Sequence, residues 1–253
     1  MTVPKGEKPE DGWPVVIFNH GYIPPEEYRT TEKYIAYTDA FSRNGYIVFK
    51  PDYRGHGNSE GDPEGAYYSP AYTIDALNAI SSMKKYKEAD PEKIGMWGHS
   101  MGGAITLRVM VVSKDVKAAS IWAGVVGSYD DLANNWHRPG DRSFVPSQRE
   151  LANHNRGRQY LIEKYGSVSE NPDFWKLLSP ITHVADISIP IQLQHGKEDV
   201  QVPLLFSQKL NDALAGRGKT VEFFTYDSDD HNLSKNLSLA LKRSVDFFDK
   251  YLK

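Results

Sequence analysis

The sequence predicts an α/β fold: a mostly parallel central sheet with helices on both faces. Short apolar runs of strand length alternate along the chain with segments of helical periodicity. In residues 94–112, an apolar run passes through Gly-His-Ser-Met-Gly directly into a helix-like segment. Because strands that alternate with helices pair in parallel, these two observations favour one sheet covered on both faces.

Length and composition are those of a single globular domain, which we expect to span residues 1–253. Of the 253 residues, 40% are hydrophobic and 25% are charged. The net charge of −3 gives no drive toward nucleic acid or an anionic membrane. The chain has no cysteine, no signal-peptide pattern and no apolar run of the roughly 18 residues that suggest a transmembrane helix. We therefore expect a cytoplasmic protein, or a secreted one if the chain is an N-terminally trimmed piece.

The predicted elements follow one another as strand and helix, with one interruption. Buried strands are predicted where apolar residues run continuously, at 15–19, 46–49, 94–97, 118–126, 189–195 and 220–226. Helices are predicted where apolar residues recur at helical spacing, at 34–42, 69–86, 104–112, 203–215 and 234–252. Thr30 or Thr31 is the expected cap of the first helix, and Ser234 that of the last.

The interruption is the segment at about 128–186, which has no long apolar run but many aromatic residues and arginines. It is too small for an independent core, holds a predicted helix at 147–165, and resembles a lid inserted into the domain. Its aromatic side chains could hold an aryl group and its arginines could meet a carboxylate. The opposing interpretation is a small core of the lid itself, with solvated arginines. The candidate substrate-binding residues are Trp136, His137, Phe144, Tyr160 and Trp175.

The turn around Ser100 has the pattern G-x-S-x-G between a predicted strand and a predicted helix. A serine on such a turn is held in a strained conformation with its hydroxyl clear of the sheet. Gly98 and Gly102 lack the Cβ that would collide where strand and helix approach each other. The helix that follows directs N–H groups toward the turn, where they stabilise an oxyanion. The pattern predicts a nucleophilic serine; the alternative is a glycine-rich turn with a solvated serine.

A base and an acid for this serine are found later in the chain. A serine hydroxyl needs a histidine that a carboxylate orients. Asp199 comes after the predicted strand at 189–195, and His231 after the strand at 220–226. Their order, serine then aspartate then histidine, is that of one class of hydrolase. We therefore predict Ser100, Asp199 and His231 as a catalytic triad.

Other polar residues are weaker candidates for these two roles. Glu198 competes with Asp199, but the spacing Asp-x-x-x-Pro places Asp199 ahead of a helix. Asp229 and Asp230 are too near His231 in sequence to orient its ring. Three further histidines are expected to support loops or to pack: His20, His99 and His195.

Two backbone N–H groups are needed for the oxyanion. Met101, which follows the nucleophile, supplies one, and the loop after the first strand is expected to supply the other. Tyr22 is the candidate there, because Gly21 lets the backbone approach a substrate carbonyl. No histidine spacing indicates a metal, and no cofactor is expected. The glycine-rich loop at 52–61 lacks the spacing of a nucleotide site; in it we expect an ion pair between Asp52 and Arg54.

Several of these motifs together resemble the α/β-hydrolase superfamily. They are His20-Gly21-Tyr22 and the segments 51–59, 98–103, 195–203 and 230–231. More narrowly, they resemble the catalytic domain of prolyl-oligopeptidase-like serine hydrolases, a branch that includes acylaminoacyl peptidases and many bacterial esterases. The resemblance covers nearly the whole chain except the lid, and it implies the α/β-hydrolase fold.

The same resemblance frames the expected activity. Peptidases of that branch carry an N-terminal β-propeller, for which this chain has no room, so a stand-alone serine esterase acting on short-chain or aryl esters is favoured. The alternatives are an acylaminoacyl or dipeptidyl peptidase and, from a different class, a non-catalytic binding module on the same scaffold. Related folds begin with one or two antiparallel strands, and residues 1–4 resemble the tail of such a strand.

Overall fold

A computed structural model of the chain, which describes residues 1–136 and 148–253, has a six-stranded parallel sheet at its centre. In chain order its strands are β1 (Trp13–Asn19), β2 (Ile47–Phe49), β3 (Ala89–His99), β4 (Ala118–Trp122), β5 (Ile191–Gly196) and β6 (Val221–Tyr226). Their spatial order is β2-β1-β3-β4-β5-β6, and every neighbouring pair is parallel. The predicted sheet is confirmed.

Helices connect these strands. Within the described residues they are α1 (Ile35–Arg43), α2 (Ala71–Met83), α3 (Met101–Val112), α4 (Tyr129–Asn134), α5 (Gln148–Tyr165), α6 (Pro172–Leu178), α7 (Leu204–Ala215) and α8 (Leu237–Leu252). A 3-10 helix spans Pro180–Asp186. No helix of the described residues is both long and apolar enough to cross a membrane.

The two faces of the sheet pack against different helices because strand side chains alternate in direction. Val15 and Ile17 of β1 belong to a mostly aliphatic core with α2, α3 and α7. Val16 and Phe18 point to the other face and belong to a core with α1 and α8. That second core is rich in aromatic side chains, among them Phe41, Tyr46, Trp97, Trp122 and Phe248.

The strand order locates the crevice in which this kind of sheet binds ligands. From β1 the chain moves to β2 on one side, whereas from β3 it moves to β4 on the other side. Ligands bind beyond the carboxyl ends of the strands at such a reversal. The loop after β1 and the turn after β3 meet there, and these carry Gly21 and Ser100.

Some local predictions were wrong because long-range contacts decide them. The N-cap of α1 is Tyr34, in a left-handed conformation, rather than Thr30 or Thr31. The N-cap of α8 is Asn236, whereas the hydroxyl of Ser234 donates to Asp230.

The predicted ion pair in the loop at 52–61 was also wrong. Arg54 pairs with Asp75 of α2, with Nη2 2.7 Å from Oδ1. Asp52 instead accepts hydrogen bonds from the hydroxyls of Tyr28 and Thr30, each at 2.6 Å. In the N-terminal segment, Thr2 makes an antiparallel bridge to Val48 of β2, which agrees with a strand tail there.

Candidate active site

Ser100 lies at the turn between β3 and α3, and its backbone is strained. Its φ is 55° and its ψ is −117°, a conformation that residues with a side chain rarely adopt. Backbone hydrogen bonds hold it there, since Ser100 N donates to Trp122 O at 3.0 Å and Ser100 O accepts from Val125 N at 3.1 Å. Its hydroxyl makes no hydrogen bond within the described part of the chain.

Glycine is required on both sides of this turn because the backbones approach so closely. A Cβ at Gly102 would lie 1.9 Å from the carbonyl oxygen of Asn19, at the end of β1. A Cβ at Gly98 would lie 2.3 Å from the hydroxyl of Thr106. The amide of Asn19 donates to that same hydroxyl at 2.9 Å, so β1 is tied directly to α3. The first turn of α3, and with it the Met101 N–H, therefore has a fixed position.

The predicted base and acid are hydrogen-bonded to each other. Nδ1 of His231, in the loop after β6, lies 2.7 Å from Oδ2 of Asp199, in the loop after β5. The Asp199 side chain is 0% exposed and that of His231 is 7% exposed. The other Asp199 oxygen accepts the backbone N–H groups of Gln201 and Val202, at 2.8 and 2.9 Å. A carboxylate held this firmly fixes the orientation of the His231 ring.

Electrostatics keep Asp199 ionised. Burial by itself would raise the pKa of this carboxyl, but hydrogen bonds from His195 and His231 and the backbone N–H of Val202 outweigh it. The net result is a pKa well below the ordinary value. An ionised Asp199 accepts the Nδ1 proton of His231, which leaves Nε2 of that ring as the basic nitrogen.

His195 contacts the acid, a contact that the sequence did not reveal. Its Nε2 is 3.1 Å from Asp199 Oδ2 and 3.0 Å from the carbonyl oxygen of Val202. Both of these atoms accept, so Nε2 carries the proton and Nδ1 accepts from the Ser207 hydroxyl at 2.8 Å. His195 does pack, as expected, and it also gives Asp199 a second donor. The only sequence signal was a histidine four positions before the acid.

The loop of His231 is shaped by its two neighbouring carboxylates, neither of which bonds to the His231 ring. Asp229 accepts the backbone N–H groups of Lys235 and Asn236, at 3.1 and 3.0 Å. Asp230 accepts the N–H of Asn232 at 3.0 Å. These bonds build the turn that presents His231. This agrees with the prediction that Asp229 and Asp230 do not orient the His231 ring.

His99 joins the nucleophile turn to the base. Its ring lies against the His231 ring, with centroids 4.6 Å apart, and its Nε2 is 3.0 Å from the His231 carbonyl oxygen. Ser100 is the next residue, so this contact ties the turn that carries Ser100 to the loop that carries His231. Burial, together with the nearby His231, lowers the pKa of His99 to about 3. The His99 ring is therefore neutral.

The loop after β1 reaches the same site. A Cβ on Gly21 would lie 3.3 Å from the Ser100 Cβ, so the backbone here touches the nucleophile directly. The N–H of Gly21 donates to the Tyr34 hydroxyl at 2.9 Å, and the next N–H along the chain is that of Tyr22. Tyr22 and Met101 therefore stand on the two segments that border Ser100. Their role as oxyanion donors stays a prediction.

The candidate substrate-binding residues occupy different environments. Nε1 of Trp136 donates to the carbonyl oxygen of Gln201, in the acid's loop, at 2.8 Å. Tyr160 is 55% exposed on α5, and Trp175 is only 2% exposed. Trp175 also borders a cavity of about 200 Å³ together with Tyr68, Asp130, Asn134, Arg158 and Ile162. His137 and Phe144 lie outside the described residues.

Residues 1–136 and 148–253 contain no cluster of three or more histidine, aspartate or glutamate side chains that could hold a metal ion.

These features define a class of protein. A strained serine between a parallel strand and a helix, beside a buried His–Asp pair at the carboxyl edge of the sheet, is the site of a serine hydrolase with the α/β-hydrolase fold. Comparison with known proteins gives the family. The chain belongs to the BD-FAE family, whose model matches residues 1–214.

Individual relatives share about a quarter or less of their residues with this chain. The chain is 25% identical over 200 residues to human Protein ABHD12B, covering 79% of this chain and 49% of that protein. It is 24% identical over 193 residues to the uncharacterized peptidase YtmA of Bacillus subtilis, covering 76% of this chain and 66% of that protein. A solved structure of Pyrococcus horikoshii acylaminoacyl peptidase matches with a TM-score of 0.73 at 22% identity, over 99% of this chain and 39% of that one.

These matches confirm the predicted resemblance to α/β-hydrolases of the prolyl-oligopeptidase-like branch. The chain spans about half the length of the human relative and just under two thirds of YtmA.

Proposed function

We propose that this protein hydrolyses carboxylic esters through an acyl-enzyme intermediate. In this mechanism Ser100 is the nucleophile, His231 the general base and Asp199 the residue that orients the base. The observation that carries the proposal is the strained Ser100, packed through His99 against a histidine that is bonded to a buried carboxylate at 2.7 Å. Strain at a serine persists only where the surrounding structure maintains it, and such strain is concentrated at functional sites.

The proposed chemistry has two half-reactions. Ser100 Oγ attacks the ester carbonyl while His231 Nε2 takes its proton, and the C–O bond to the alcohol breaks as His231 returns that proton to the leaving oxygen. Water then attacks the acyl-enzyme with His231 again as base, releasing the carboxylic acid and restoring Ser100. Asp199 stays ionised throughout and stabilises the imidazolium that forms.

The N–H groups of Tyr22 and Met101 are the proposed oxyanion donors. Met101 is the first residue of α3, where backbone N–H groups lack a partner within the helix and the helix dipole is positive. Each donor of this kind typically contributes about 3 kcal/mol to stabilising the transition state. This contribution falls on the step that forms the tetrahedral intermediate.

A peptidase acting on acylated or N-terminal amino acids is the second candidate. It is supported by two relatives whose names describe peptidases, the YtmA protein and the P. horikoshii acylaminoacyl peptidase. Amide cleavage uses the same residues but also requires the flanking peptide to be bound. Ester cleavage makes fewer demands on the site and is the reaction that we propose.

The experiment combines covalent labelling with a substrate panel. We expect a fluorophosphonate probe to label the original protein but not the Ser100→Ala variant. We also expect p-nitrophenyl acetate hydrolysis to fall at least about 10⁴-fold in that variant. Ser244→Ala, which removes another buried serine hydroxyl in α8, is the matched control for labelling. Full activity of Ser100→Ala would overturn the proposal.

The substrate class is decided by the same panel. We expect p-nitrophenyl and methyl hydroxycinnamate esters to be cleaved with higher kcat/KM than matched aminoacyl anilides. The reverse order would replace the esterase by the peptidase. Absence of both labelling and turnover in the folded protein would indicate a binding module without catalysis.

A further inference from the structure

A chain of hydrogen bonds joins the proposed oxyanion loop to the loop of the base. Gly21 N lies 2.9 Å from the Tyr34 hydroxyl oxygen, and that oxygen lies 2.7 Å from His99 Nδ1. At the other side of the same ring, His99 Nε2 lies 3.0 Å from the carbonyl oxygen of His231. Gly21, Tyr34, His99 and His231 come from separate parts of the chain, so this arrangement exists only in the folded protein.

The two ends of this chain fix the direction of every hydrogen bond in it. A backbone N–H can only donate, so the Tyr34 oxygen accepts a hydrogen bond from Gly21, and the Tyr34 hydroxyl in turn donates a hydrogen bond to His99 Nδ1. A carbonyl oxygen can only accept, so His99 carries its proton on Nε2. Burial keeps the ring of His99 neutral by lowering its pKa to about 3. A single tautomer of His99 therefore satisfies both neighbours.

At the Gly21 end of this series of hydrogen bonds lies the peptide group that carries the proposed oxyanion donor, the Tyr22 N–H. Gly21 N is bound by Tyr34, and Gly21 O lies 2.7 Å from His20 Nδ1. The described peptide bonds are all trans, and in a trans peptide a C=O and the following N–H point in opposite directions. Holding Gly21 at both its atoms therefore fixes the direction of the Tyr22 N–H.

The need for glycine at position 21 follows from the same contacts. A Cβ there would lie 2.6 Å from the Tyr34 hydroxyl oxygen and 3.2 Å from His99 Nδ1. The first of these distances is shorter than any normal contact, so any residue with a side chain would displace Tyr34. Gly21, Tyr34 and His99 therefore form one packed unit beside Ser100.

Tyr34 is held in a conformation that a bulky residue rarely adopts. Its φ is 64° and its ψ is 24°, in the left-handed region. Its side chain does not cap α1, at whose N-terminus it stands. Instead the ring packs edge-on against Phe18 at 5.4 Å and Trp97 at 6.1 Å between centroids. The strained backbone of Tyr34 thus goes with a side chain that contacts the site and does not cap its own helix.

We propose that Tyr34 and His99 are positioning residues that fix the Tyr22 N–H relative to Ser100 and His231. Neither touches the reacting atoms; they act through the Gly21 backbone and through the His231 carbonyl group. The proposal rests on the proposed function, because the oxyanion that Tyr22 stabilises is formed only by a reacting Ser100.

The test removes one oxygen atom. Tyr34→Phe keeps the ring and deletes the hydroxyl, and Tyr46→Phe is the matched control. The Tyr46 hydroxyl also donates a hydrogen bond within the fold, to Asp249 of α8 at 2.6 Å. Tyr46 comes directly before β2, so it lies at the amino ends of the strands, whereas the site lies at their carboxyl ends. Activity on p-nitrophenyl acetate is expressed per active site titrated by the burst of p-nitrophenol, so that misfolded molecules are not counted.

We expect Tyr34→Phe to lower kcat by about 10- to 100-fold, less than the loss of a whole oxyanion donor, with KM changed by less than about 3-fold. Affinity for a trifluoromethyl ketone, which forms an oxyanion on Ser100, is expected to fall by a similar factor. Tyr46→Phe is expected to change none of these values. A Tyr34→Phe variant that matches Tyr46→Phe in kcat and ketone affinity would overturn the proposal.

A second variant tests whether the chain acts as a unit. His99→Gln keeps an N–H donor for the His231 carbonyl but removes the Nδ1 acceptor, and it replaces Tyr34→Phe if that variant does not fold. We expect the double variant to lose no more than about 3-fold beyond the worse single variant, since one break disables the whole chain. If the activity loss of the double variant equalled the product of the two single losses, the two residues would act independently, which would contradict the proposal.

Failure of the two proposals can be told apart. Activity and fluorophosphonate labelling that persist in Ser100→Ala would overturn the hydrolase function itself. Activity that depends on Ser100 but is indifferent to the Tyr34 hydroxyl would overturn only the positioning role.

Discussion

The loops around Ser100 and the inserted segment at 128–186 are stabilised by different kinds of contact. In the loops, buried polar groups meet at hydrogen-bond distances, as in the bonds of Asp199 to His231, Gln201 and Val202. In the described part of the insertion, a cluster of aromatic rings is packed around Trp175, with Tyr129 at 5.1 Å and Phe174 at 5.4 Å between centroids. Polar networks fix angles and protons, whereas ring packing supplies mainly buried area.

This difference predicts that the loops and the insertion affect different properties, reaction rate in the first case and stability or substrate affinity in the second. A change in a loop network acts on the reaction rate, because the geometry there is what the transition state requires. We expect a change in the insertion to act on stability or on substrate affinity instead. Variants in the two regions should therefore have effects of different kinds.

The largest effect is expected at the acid. Asp199→Asn keeps the shape of the side chain but removes its charge and favours the wrong tautomer of His231. We expect kcat on p-nitrophenyl acetate to fall by about 10³- to 10⁴-fold with KM little changed. Asp90→Asn, which changes a buried carboxylate near the amino end of β3 that pairs with Lys93, is the control and should lose far less activity. Equal losses in the two variants would contradict the assignment of the acid.

The next effect is on stability, in the insertion. Trp175→Ala removes a ring that is 2% exposed and whose Nε1 donates to Gly166 O at 2.9 Å. We expect the free energy of unfolding to fall by about 3 to 5 kcal/mol, measured by urea titration, with kcat at low temperature within a few-fold of the original. A large loss of kcat/KM at nearly unchanged stability would instead assign Trp175 to substrate binding.

Acid is expected to destabilise the loops through two buried histidines. Burial, with a nearby histidine in each case, lowers the pKa of His20 and of His99 well below the ordinary 6.5. Below pH 6.5 these two histidines bind protons in the unfolded chain but stay neutral in the folded protein, so the free energy of unfolding falls as the pH falls. Each histidine should contribute a slope of about 1.4 kcal/mol per pH unit.

Urea unfolding at pH 7, 6 and 5 measures this slope. His99→Gln should reduce it by about half, since one of the two histidines is removed. The low pKa of Asp199 adds a separate loss only below its ordinary value of 3.8, outside this range. A His99→Gln variant with an unchanged slope would contradict the neutral state of His99.

The smallest effect is expected at the surface of the insertion. Tyr160 is 55% exposed and accepts a hydrogen bond from Lys164 at 3.0 Å. Tyr160→Ala should change stability by less than about 0.5 kcal/mol. If the predicted contact with substrate exists, KM for an aryl ester rises by about 3- to 10-fold while that for an acetyl ester is unchanged. A KM for the aryl ester that is the same in Tyr160→Ala as in the original protein would remove Tyr160 from the site.

Much of the fold and the core of the candidate site could be predicted from the sequence. Apolar runs marked the positions of the strands, because a strand buried on both faces is apolar along its whole length. The glycines around Ser100 marked the turn, since the backbone contacts there exclude a Cβ. Asp199 and His231 could be selected because each follows a predicted strand in the required order.

Other features could not be predicted, for a common reason. The pairing of Arg54 with Asp75, the donor role of His195 and the chain through Tyr34 and His99 all join residues that no sequence period connects. Tyr34 in particular looked like the start of an amphipathic helix. Its left-handed backbone gives no signal in the amino-acid pattern, because packing around the ring maintains it.

The order of the elements, the turn at Ser100 and the two loops that face it are encoded in the amino-acid pattern, since they depend on local periodicity and on residue types at fixed spacing. Which buried donors meet which acceptors is set by the folded arrangement. Hydrogen bonds between distant segments depend on the relative placement of whole strands and helices to within about an ångström, and a linear pattern does not contain that information.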